Sequence, residues 1–363
     1  MARGISLSRK GRFMLTDNKN RPGVWRRAAG ALFAMLLFGY TCTAGGCKSP
    51  QSDDVPMLAP ADGGLVLPSA RTYAVQAESI PVGVRFMADG YCVPAADARP
   101  EKKRPVKAAL LFDITDQEIL FTQDCFTKIY PASTTKLLTA LTFYRIIEEE
   151  GRSLSEQVTI REDNGGITIY GAKLCGFMKG DVVSLEGLLN GLLVYSGNDA
   201  AVAIAEYLCG SEADFVKRMN EIAWEIGATH THFVNPHGLH NSEHYTTAYD
   251  MYLIFRECLQ QEGFLDIAGK SAAVIDYYGV DGRAKQMELE STNQFLIGKS
   301  EVPDGVTVHG GKTGSTTPAG DCLMLFSSCG GREYISAVFG ASSRDVLYKQ
   351  MGELLSLEPS AAD

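Results

Sequence analysis

Strand-forming segments lie at both ends of residues 106–357, and helix-forming segments lie between them. Two short apolar runs, AALLFDI and EILFTQD, flank Asp116 and Gln117 and indicate a β-hairpin. Near the carboxyl end, GVTVHGGKTG, CLMLFSS and EYISAVFG predict three further strands, with a Cys-Gly-Gly turn between the last two. This order predicts one sheet that is built from both ends of the region, with helices inserted between them.

The stretch between these strands is predominantly helical. From Leu137 to Ile147 apolar residues recur at helical spacing, and Gly151 marks the end of that helix. Later helices are predicted by SLEGLLNGLLVY, DAAVAIAEYLCG, EADFVKRMNEIAWEIG and TAYDMYLIFRECLQ, and a last helix by ASSRDVLYKQMGELLSL. We therefore predict an α/β (α+β) domain over residues 106–357, followed by a tail over residues 358–363.

Residues 1–27 are strongly basic and precede an apolar segment. They contain eight Lys or Arg against Asp17 alone, so they carry +7, and the rest carries −16 of a total of −9. The uncharged residues 28–47 end in small side chains, which is typical of an export signal. Three modes stay open: a cleaved signal, a lipoprotein lipidated at Cys47, and an uncleaved anchor, for which the segment is poor in apolar residues.

The remainder of the chain is acidic, which disfavours nucleic acid as a partner because phosphate binding requires a basic face. Residues 48–105 are rich in Pro, Ala, Gly, Ser and Asp and predict a flexible tether with one or two strands. We expect a domain outside the cytoplasm, either secreted or attached to the outer face of the cytoplasmic membrane by residues 28–47.

Ser133 lies three positions before Lys136 at the start of the first helix. Residues with this spacing share a helix face, with Cβ atoms about 5–6 Å apart, so the amine can reach the hydroxyl. A serine hydroxyl needs a base to become a good nucleophile, and a lysine can act as that base if burial lowers its pKa. On its own, the pattern is better explained by a helix-capping serine and a solvated lysine.

Two further elements support a catalytic interpretation. Ser196-Gly197-Asn198 lies between two predicted helices, where a hydroxyl could relay a proton and a carboxamide could hold a peptide carbonyl. GGKTGS, which ends at Ser315, lies on a predicted strand. Glycines within a strand allow another backbone to approach closely, so Gly314 leaves room. Lys312 and Thr313 offer a cation and a hydroxyl to a carboxylate.

Together, these elements resemble those of the penicillin-binding protein and serine β-lactamase superfamily. Four longer stretches, PASTTKLLTAL, LLNGLLVYSGNDAAVAIAE, THFVNPHGLHNSEHYTTAYDM and GGKTGSTTPAG, resemble D-alanyl-D-alanine carboxypeptidases, the low-molecular-mass penicillin-binding proteins. The resemblance implies a β-lactamase/transpeptidase-like fold: an antiparallel sheet flanked by helices, an all-helical lobe, and a cleft between them. It also implies peptidoglycan stem peptides ending in D-Ala-D-Ala as substrate, β-lactam antibiotics as inhibitors, and no cofactor.

The same resemblance assigns roles to individual residues. It makes Ser133 the acylated nucleophile, Lys136 its base and Ser196 a proton relay. Asn198 would hold the substrate amide, Lys312 and Thr313 would anchor the terminal carboxylate, and the backbone N–H groups of Ser133 and Ser315 would form the oxyanion hole. Many relatives carry a C-terminal β-rich domain and an amphipathic helix, which we do not expect here, so membrane attachment would depend on the N-terminal segment.

Two competing functions share these elements. A β-lactamase would need a deacylating glutamate, and the pattern Glu186-Gly-Leu-Leu-Asn190 matches the known motif but precedes Ser196 within a helical run. We interpret Glu186 as a solvated helix residue and do not expect rapid penicillin turnover. The other alternative is a catalytically weak penicillin-binding sensor or scaffold. Arg344 could touch the substrate, although an exposed arginine at a helix start is the favoured interpretation.

Histidine and cysteine patterns give weaker signals. Five histidines fall within fifteen residues, and zinc is the usual partner of such clusters; they are His230, His232, His237, His240 and His244. Three of them lie in a stretch that the resemblance makes a structural loop, so we predict no metal. Seven cysteines follow Cys47 without metal-binding spacing, and we expect most to be buried as small apolar residues.

Overall fold

A five-stranded antiparallel sheet combines strands from both ends of the domain, as predicted. Its spatial order is β4-β3-β11-β10-β9. The strands are β3 (Ala108–Asp113), β4 (Glu118–Gln123), β9 (Val306–Thr316), β10 (Gly320–Cys329) and β11 (Arg332–Ala341). Because β3 pairs directly with β11, residues more than 200 positions apart in sequence hydrogen-bond side by side. The hairpin predicted around Asp116 and Gln117 is confirmed.

This computed structural model of the chain describes residues 86–88, 91–94, 100 and 102–358. The predicted basic leader and export segment, residues 1–47, and most of the predicted tether, residues 48–105, lie outside the described residues. The domain boundaries and the mode of export stay predictions. Within the described part of the chain, no helix is both long enough and apolar enough to cross a membrane.

The helices occupy the predicted positions, except for the short α6 (Phe264–Ala268), which the sequence did not indicate. The first, α1 (Lys136–Glu150), ends at Gly151, whose left-handed φ of 62° suits a residue without a side chain. Residues 136–144 are all buried, so this part of the helix is enclosed on every side, whereas its last turn is exposed. The others are α2 (Leu185–Asn190), a π-helical turn (Gly191–Tyr195), α3 (Asn198–Cys209), α4 (Glu212–Glu225), α5 (Ala248–Leu259), α6 (Phe264–Ala268) and α7 (Arg344–Leu355).

The helical lobe also contains a second sheet, which corrects the expectation of an all-helical lobe. Its four antiparallel strands are β5 (Gln157–Thr159), β6 (Val182–Ser184), β7 (Ala272–Tyr278) and β8 (Ala284–Glu290). Along β7 buried Ala273 and Ile275 alternate with exposed neighbours, and this inner face packs against α2. The strands β5 and β6 have three residues each, too few for their alternation to be recognised in the sequence.

Two strands lie in the region predicted as a tether. They are β1 (Phe86–Ala88) and β2 (Tyr91–Val93), which pair as an antiparallel hairpin. Cys92 is buried, and its backbone N–H donates to the hydroxyl of Tyr252 on α5.

All seven cysteines from Cys92 onward are free thiols, and five of them are buried. This confirms the prediction that most of these cysteines are small apolar residues of the core.

Candidate active site

Ser133 lies in a single 3-10 turn, Ala132–Thr135, that leads into α1. The N-cap residue of α1 is Thr135, so Ser133 is not the helix cap. The hydroxyls of Thr134 and Thr135 donate to the carbonyls of Pro131 and Ala132 at 2.7 Å, which ties the turn to the chain before it. Ser133 itself stays half-buried and lines a cavity.

Two glycines allow other segments to approach this turn. Gly238 has a φ of +86°, and a Cβ atom there would overlap the carbonyl of Ala132. On β9, a Cβ atom at Gly314 would lie 2.8 Å from the Pro131 oxygen and 2.9 Å from the Ser133 nitrogen. The close approach predicted for the strand glycine is therefore confirmed, and it places β9 directly beside the serine.

Lys136 is fully buried, and its ammonium has three acceptors. The Nζ atom lies 3.1 Å from Ser133 Oγ, 2.7 Å from Asn198 Oδ1 and 2.7 Å from the carbonyl oxygen of His237. Burial lowers the pKa of Lys136 to about 7. The low-dielectric surroundings disfavour the charged form, so an appreciable share of the amine is neutral near neutral pH and can accept a proton.

The Ser196-Gly197-Asn198 element lies where the π-helical turn meets α3. Ser196 is buried and adopts a left-handed φ of 72°, which is uncommon for a residue with a side chain and turns the backbone sharply between the two helices. Ser196 lines the same cavity as Ser133. Asn198, the first residue of α3, directs its Oδ1 atom to Lys136. The element therefore contributes to the cavity wall and to the contacts of the buried amine.

On β9, Lys312 is buried and Thr313 is half-buried. The Nζ atom of Lys312 donates to the carbonyl of Thr313 at 3.1 Å. Burial first, and then repulsion from Lys136 and Lys173, lowers the pKa of Lys312 well below its ordinary value. The hydroxyl of Thr313 shares a hydrogen bond with that of Thr292, at 2.5 Å.

A cavity of about 280 Å³ unites these elements. Of the predicted site residues, its wall contains Ser133, Ser196, Thr313, Gly314 and Ser315, while Lys136, Asn198 and Lys312 are buried residues that are not part of the wall. Several wall residues were not indicated by the sequence. Tyr195 directly precedes the Ser196 element but was given no role, and Lys173 and Thr292 belong to no local motif. Arg344 is an exposed arginine at the start of α7, as expected, and it also lines this cavity, so contact with the substrate stays a prediction.

The histidine-rich stretch folds as a structural loop. Its backbone supplies the His237 carbonyl to Lys136, and His244 Nε2 lies 2.8 Å from the hydroxyl of Thr135. Burial lowers the pKa of both histidines to about 3, so both are neutral at physiological pH. In the part of the chain that the structure describes, no three His, Cys, Asp or Glu side chains are arranged to hold a metal ion. Glu186 is exposed on α2, as expected.

Comparison with known proteins gives consistent similarities. The sequence profile of the D-alanyl-D-alanine carboxypeptidase family matches residues 96–343. The chain is 32% identical to D-alanyl-D-alanine carboxypeptidase DacF of Bacillus subtilis, an alignment that covers 72% of this chain and 66% of that protein. It is 28% identical to DacC of Escherichia coli, covering 72% of this chain and 61% of that protein. The chain thus spans less than two-thirds of the length of these curated relatives.

Solved structures show the same fold. Penicillin binding protein 5 of Haemophilus influenzae superimposes with a TM-score of 0.62 and 26% identity, covering 71% of this chain and 72% of that one. A Streptomyces DD-transpeptidase superimposes with a TM-score of 0.65 and 24% identity, covering 71% of this chain and 98% of that one. These similarities confirm the β-lactamase/transpeptidase-like architecture expected from the motifs.

Proposed function

This chain belongs to the D-alanyl-D-alanine carboxypeptidase family, and we propose that it is a serine D,D-peptidase acting on peptidoglycan stem peptides that end in D-Ala-D-Ala. The observation that carries the proposal is the contact of Lys136 Nζ with Ser133 Oγ at 3.1 Å inside a buried pocket. A lysine with this burial can be neutral, and its one lone pair is then available to the serine.

The contacts of Lys136 specify how it would act as a base. A neutral amine has two N–H donors and one lone pair. If the two N–H groups donate to Asn198 Oδ1 and to the His237 carbonyl, the lone pair points to Ser133 and accepts its proton. Ser133 Oγ then attacks the carbonyl carbon of the penultimate D-Ala. The proton passes to the leaving amine, the C–N bond breaks, and terminal D-Ala departs.

Other residues would stabilise the substrate and the developing charge. The backbone N–H groups of Ser133 and Ser315 would hold the oxyanion, an effect of about 3 kcal/mol in comparable sites. Lys312 and Thr313 would anchor the terminal carboxylate, and Ser196 would relay the proton to the leaving group. Water then attacks the Ser133 ester and releases the shortened peptide, which restores the hydroxyl.

Release of D-alanine from a short acyl-Lys-D-Ala-D-Ala peptide by the full chain tests this proposal. We expect release by the wild-type protein and none above background by Ser133→Ala, because the nucleophile is absent. Intact-mass measurement after penicillin treatment should show one adduct on the wild type only. A folded wild-type protein that releases no D-alanine, or a Ser133→Ala variant that retains activity, would refute the hydrolase.

The acyl group on Ser133 can be transferred to water or to an amine. Water gives hydrolysis, whereas an amine gives transpeptidation through the same ester. We propose hydrolysis as the main outcome. Adding an amine acceptor such as glycylglycine to the assay measures the partition directly, and a product that is mainly the amide would instead make the protein a transpeptidase.

We also propose that the protein acts outside the cytoplasm, where its substrate lies. The support is the basic and apolar character of residues 1–47. Fractionation of cells that produce the full chain should place it in the membrane or the extracellular fraction. Accumulation in the cytoplasm would contradict the proposal.

A further inference from the structure

A short segment, residues 173–177, is fastened to the loop that carries Ser196 and Asn198. The buried carboxylate of Asp199 accepts three backbone N–H groups from it, those of Cys175 at 2.8 Å, Gly176 at 2.7 Å and Phe177 at 3.1 Å. The N–H of Asn198 donates to the carbonyl of Lys173 at 2.8 Å. Lys173 is thus positioned by the same backbone that positions the catalytic loop.

The side chain of Lys173 extends along the cavity wall. Its Nζ atom lies 4.1 Å from the centroid of the Tyr195 ring, a cation–π contact that holds the ammonium in place without neutralising it. Within the described ranges, no ion pair joins Lys173 to a carboxylate. A held but unneutralised cation on the wall of a cavity is arranged to meet an anion.

The other charges on this wall leave an excess of positive charge. Lys299 is paired with Glu290 at 3.0 Å. Arg344, like Lys173, forms no ion pair with any described residue, and Asp321 is the remaining acidic side chain on the wall. Lys173 is an exposed residue of this wall; burial of part of its side chain, followed by repulsion from Arg344, lowers its pKa, while attraction to Glu290 acts in the opposite direction. Lys173 and Arg344 line the same cavity, so an anion bound there would lie near more positive than negative charge.

We propose that Lys173 is a specificity-determining residue that binds the carboxylate of the substrate's C-terminal residue. The proposal rests on the proposed function and adds to the anchor assigned to Lys312 and Thr313. Lys173 approaches from the side of Ser196, so it would hold the C-terminal residue against β9. The required ligand class is a peptide with a free terminal carboxylate, and a terminal amide would not gain this contact.

Hydrolysis of two matched peptides, one with a free terminal carboxylate and one with a terminal amide, tests the assignment. For the carboxylate peptide we expect Lys173→Met to raise KM about tenfold with kcat within about twofold, because one charged contact is lost. Lys173→Arg should restore KM. The KM for the amide peptide should change less than about twofold with either substitution. Lys179→Met, an exposed lysine beside the same segment, is the matched control and should behave as wild type.

Binding separates this proposal from the proposed function. In a Ser133→Ala background, calorimetry with the carboxylate peptide should show about tenfold weaker binding when Lys173→Met is added, whether or not the wild type turns over. An equal loss of affinity for both peptides would indicate a structural role for Lys173. An unchanged affinity for the carboxylate peptide would show that Lys173 does not contact the substrate carboxylate. Either result would overturn the proposal for Lys173, whereas an inactive wild-type protein would contradict only the proposed hydrolase activity.

Discussion

The start of α1 and the middle of β9 each place one buried lysine at the candidate site, but the two lysines have different surroundings. Lys136 has three acceptors in contact, a hydroxyl, a carboxamide and a backbone carbonyl. The only acceptor in contact with Lys312 among the described residues is the carbonyl of Thr313. Burial is the main cause of the lowered pKa of both lysines; repulsion from Lys173 also lowers both pKa values, and repulsion from Lys136 further lowers that of Lys312.

This difference separates two uses of a buried amine. Two acceptors of Lys136 can take its N–H donors, and the remaining position on Nζ faces Ser133. A lone pair in that position is what a base requires. Lys312 has unused donors and cationic neighbours, so its charged form would be stabilised when an anion binds. We therefore expect Lys136 to act in proton transfer and Lys312 to act in substrate binding. The predictions below test this distinction.

Removing the amine of Lys136 should have the largest effect. We expect Lys136→Met to lower kcat/KM about 10³-fold, mainly through kcat, because a general base contributes about 10²–10⁴-fold. The measurement is steady-state release of D-alanine, together with the rate at which penicillin forms an adduct with Ser133. Lys217→Met, an exposed lysine on α4, is the control and should keep full activity. A loss confined to KM would contradict the role of base.

Removing the amine of Lys312 should have a smaller effect of a different kind. We expect Lys312→Met to lower kcat/KM about 10²-fold, with most of the change in KM, because a charged hydrogen bond to a carboxylate contributes about 1.5–3 kcal/mol. The comparison is again between peptides with a terminal carboxylate and a terminal amide, and the amide should be less affected. Equal effects on both peptides would remove the distinction between the two lysines.

The acidic limb of the pH dependence should reflect Lys136, and it is the smallest of the expected effects. Because burial lowers the pKa of Lys136 to about 7, activity should rise with pH up to about 7 and fall about tenfold per unit below it. Unfolded lysine keeps its ordinary pKa near 10.4, so the unfolded state binds more protons above pH 7, and Lys136 adds stability as pH rises.

Two measurements check this dependence. The profile of kcat/KM between pH 5.5 and 8.5 should have one acidic limb. Thermal melts at pH 7, 8 and 9 should show the wild type gaining stability relative to Lys136→Met as pH rises. A profile that still rises steeply at pH 8.5, or a constant difference in Tm, would show that the amine is charged throughout this range and would contradict the role of base.

Much of the fold followed from local pattern, and the exceptions have physical reasons. The hairpin over Ala108–Gln123 and the helix ending at Gly151 were predictable because their apolar residues repeat with the period of the element. The second sheet was missed although Asp281-Gly282 between β7 and β8 is a typical hairpin turn. Its strands β5 and β6 have only three residues each, too few for a pattern to be read.

The sequence alone determined the contact of Ser133 with Lys136, because helical geometry brings positions three apart together whatever the rest of the chain does. The motif also identified the residues of β9 and of the Ser196 loop. Only the tertiary structure gives Lys136 the surroundings from which we propose its role as a base. Its burial and its acceptors come from Asn198 and His237, 62 and 101 residues away, and a pKa depends on what surrounds a group in space. The same holds for Lys173, which belongs to no motif and reaches the cavity only because Asp199 fastens its segment there.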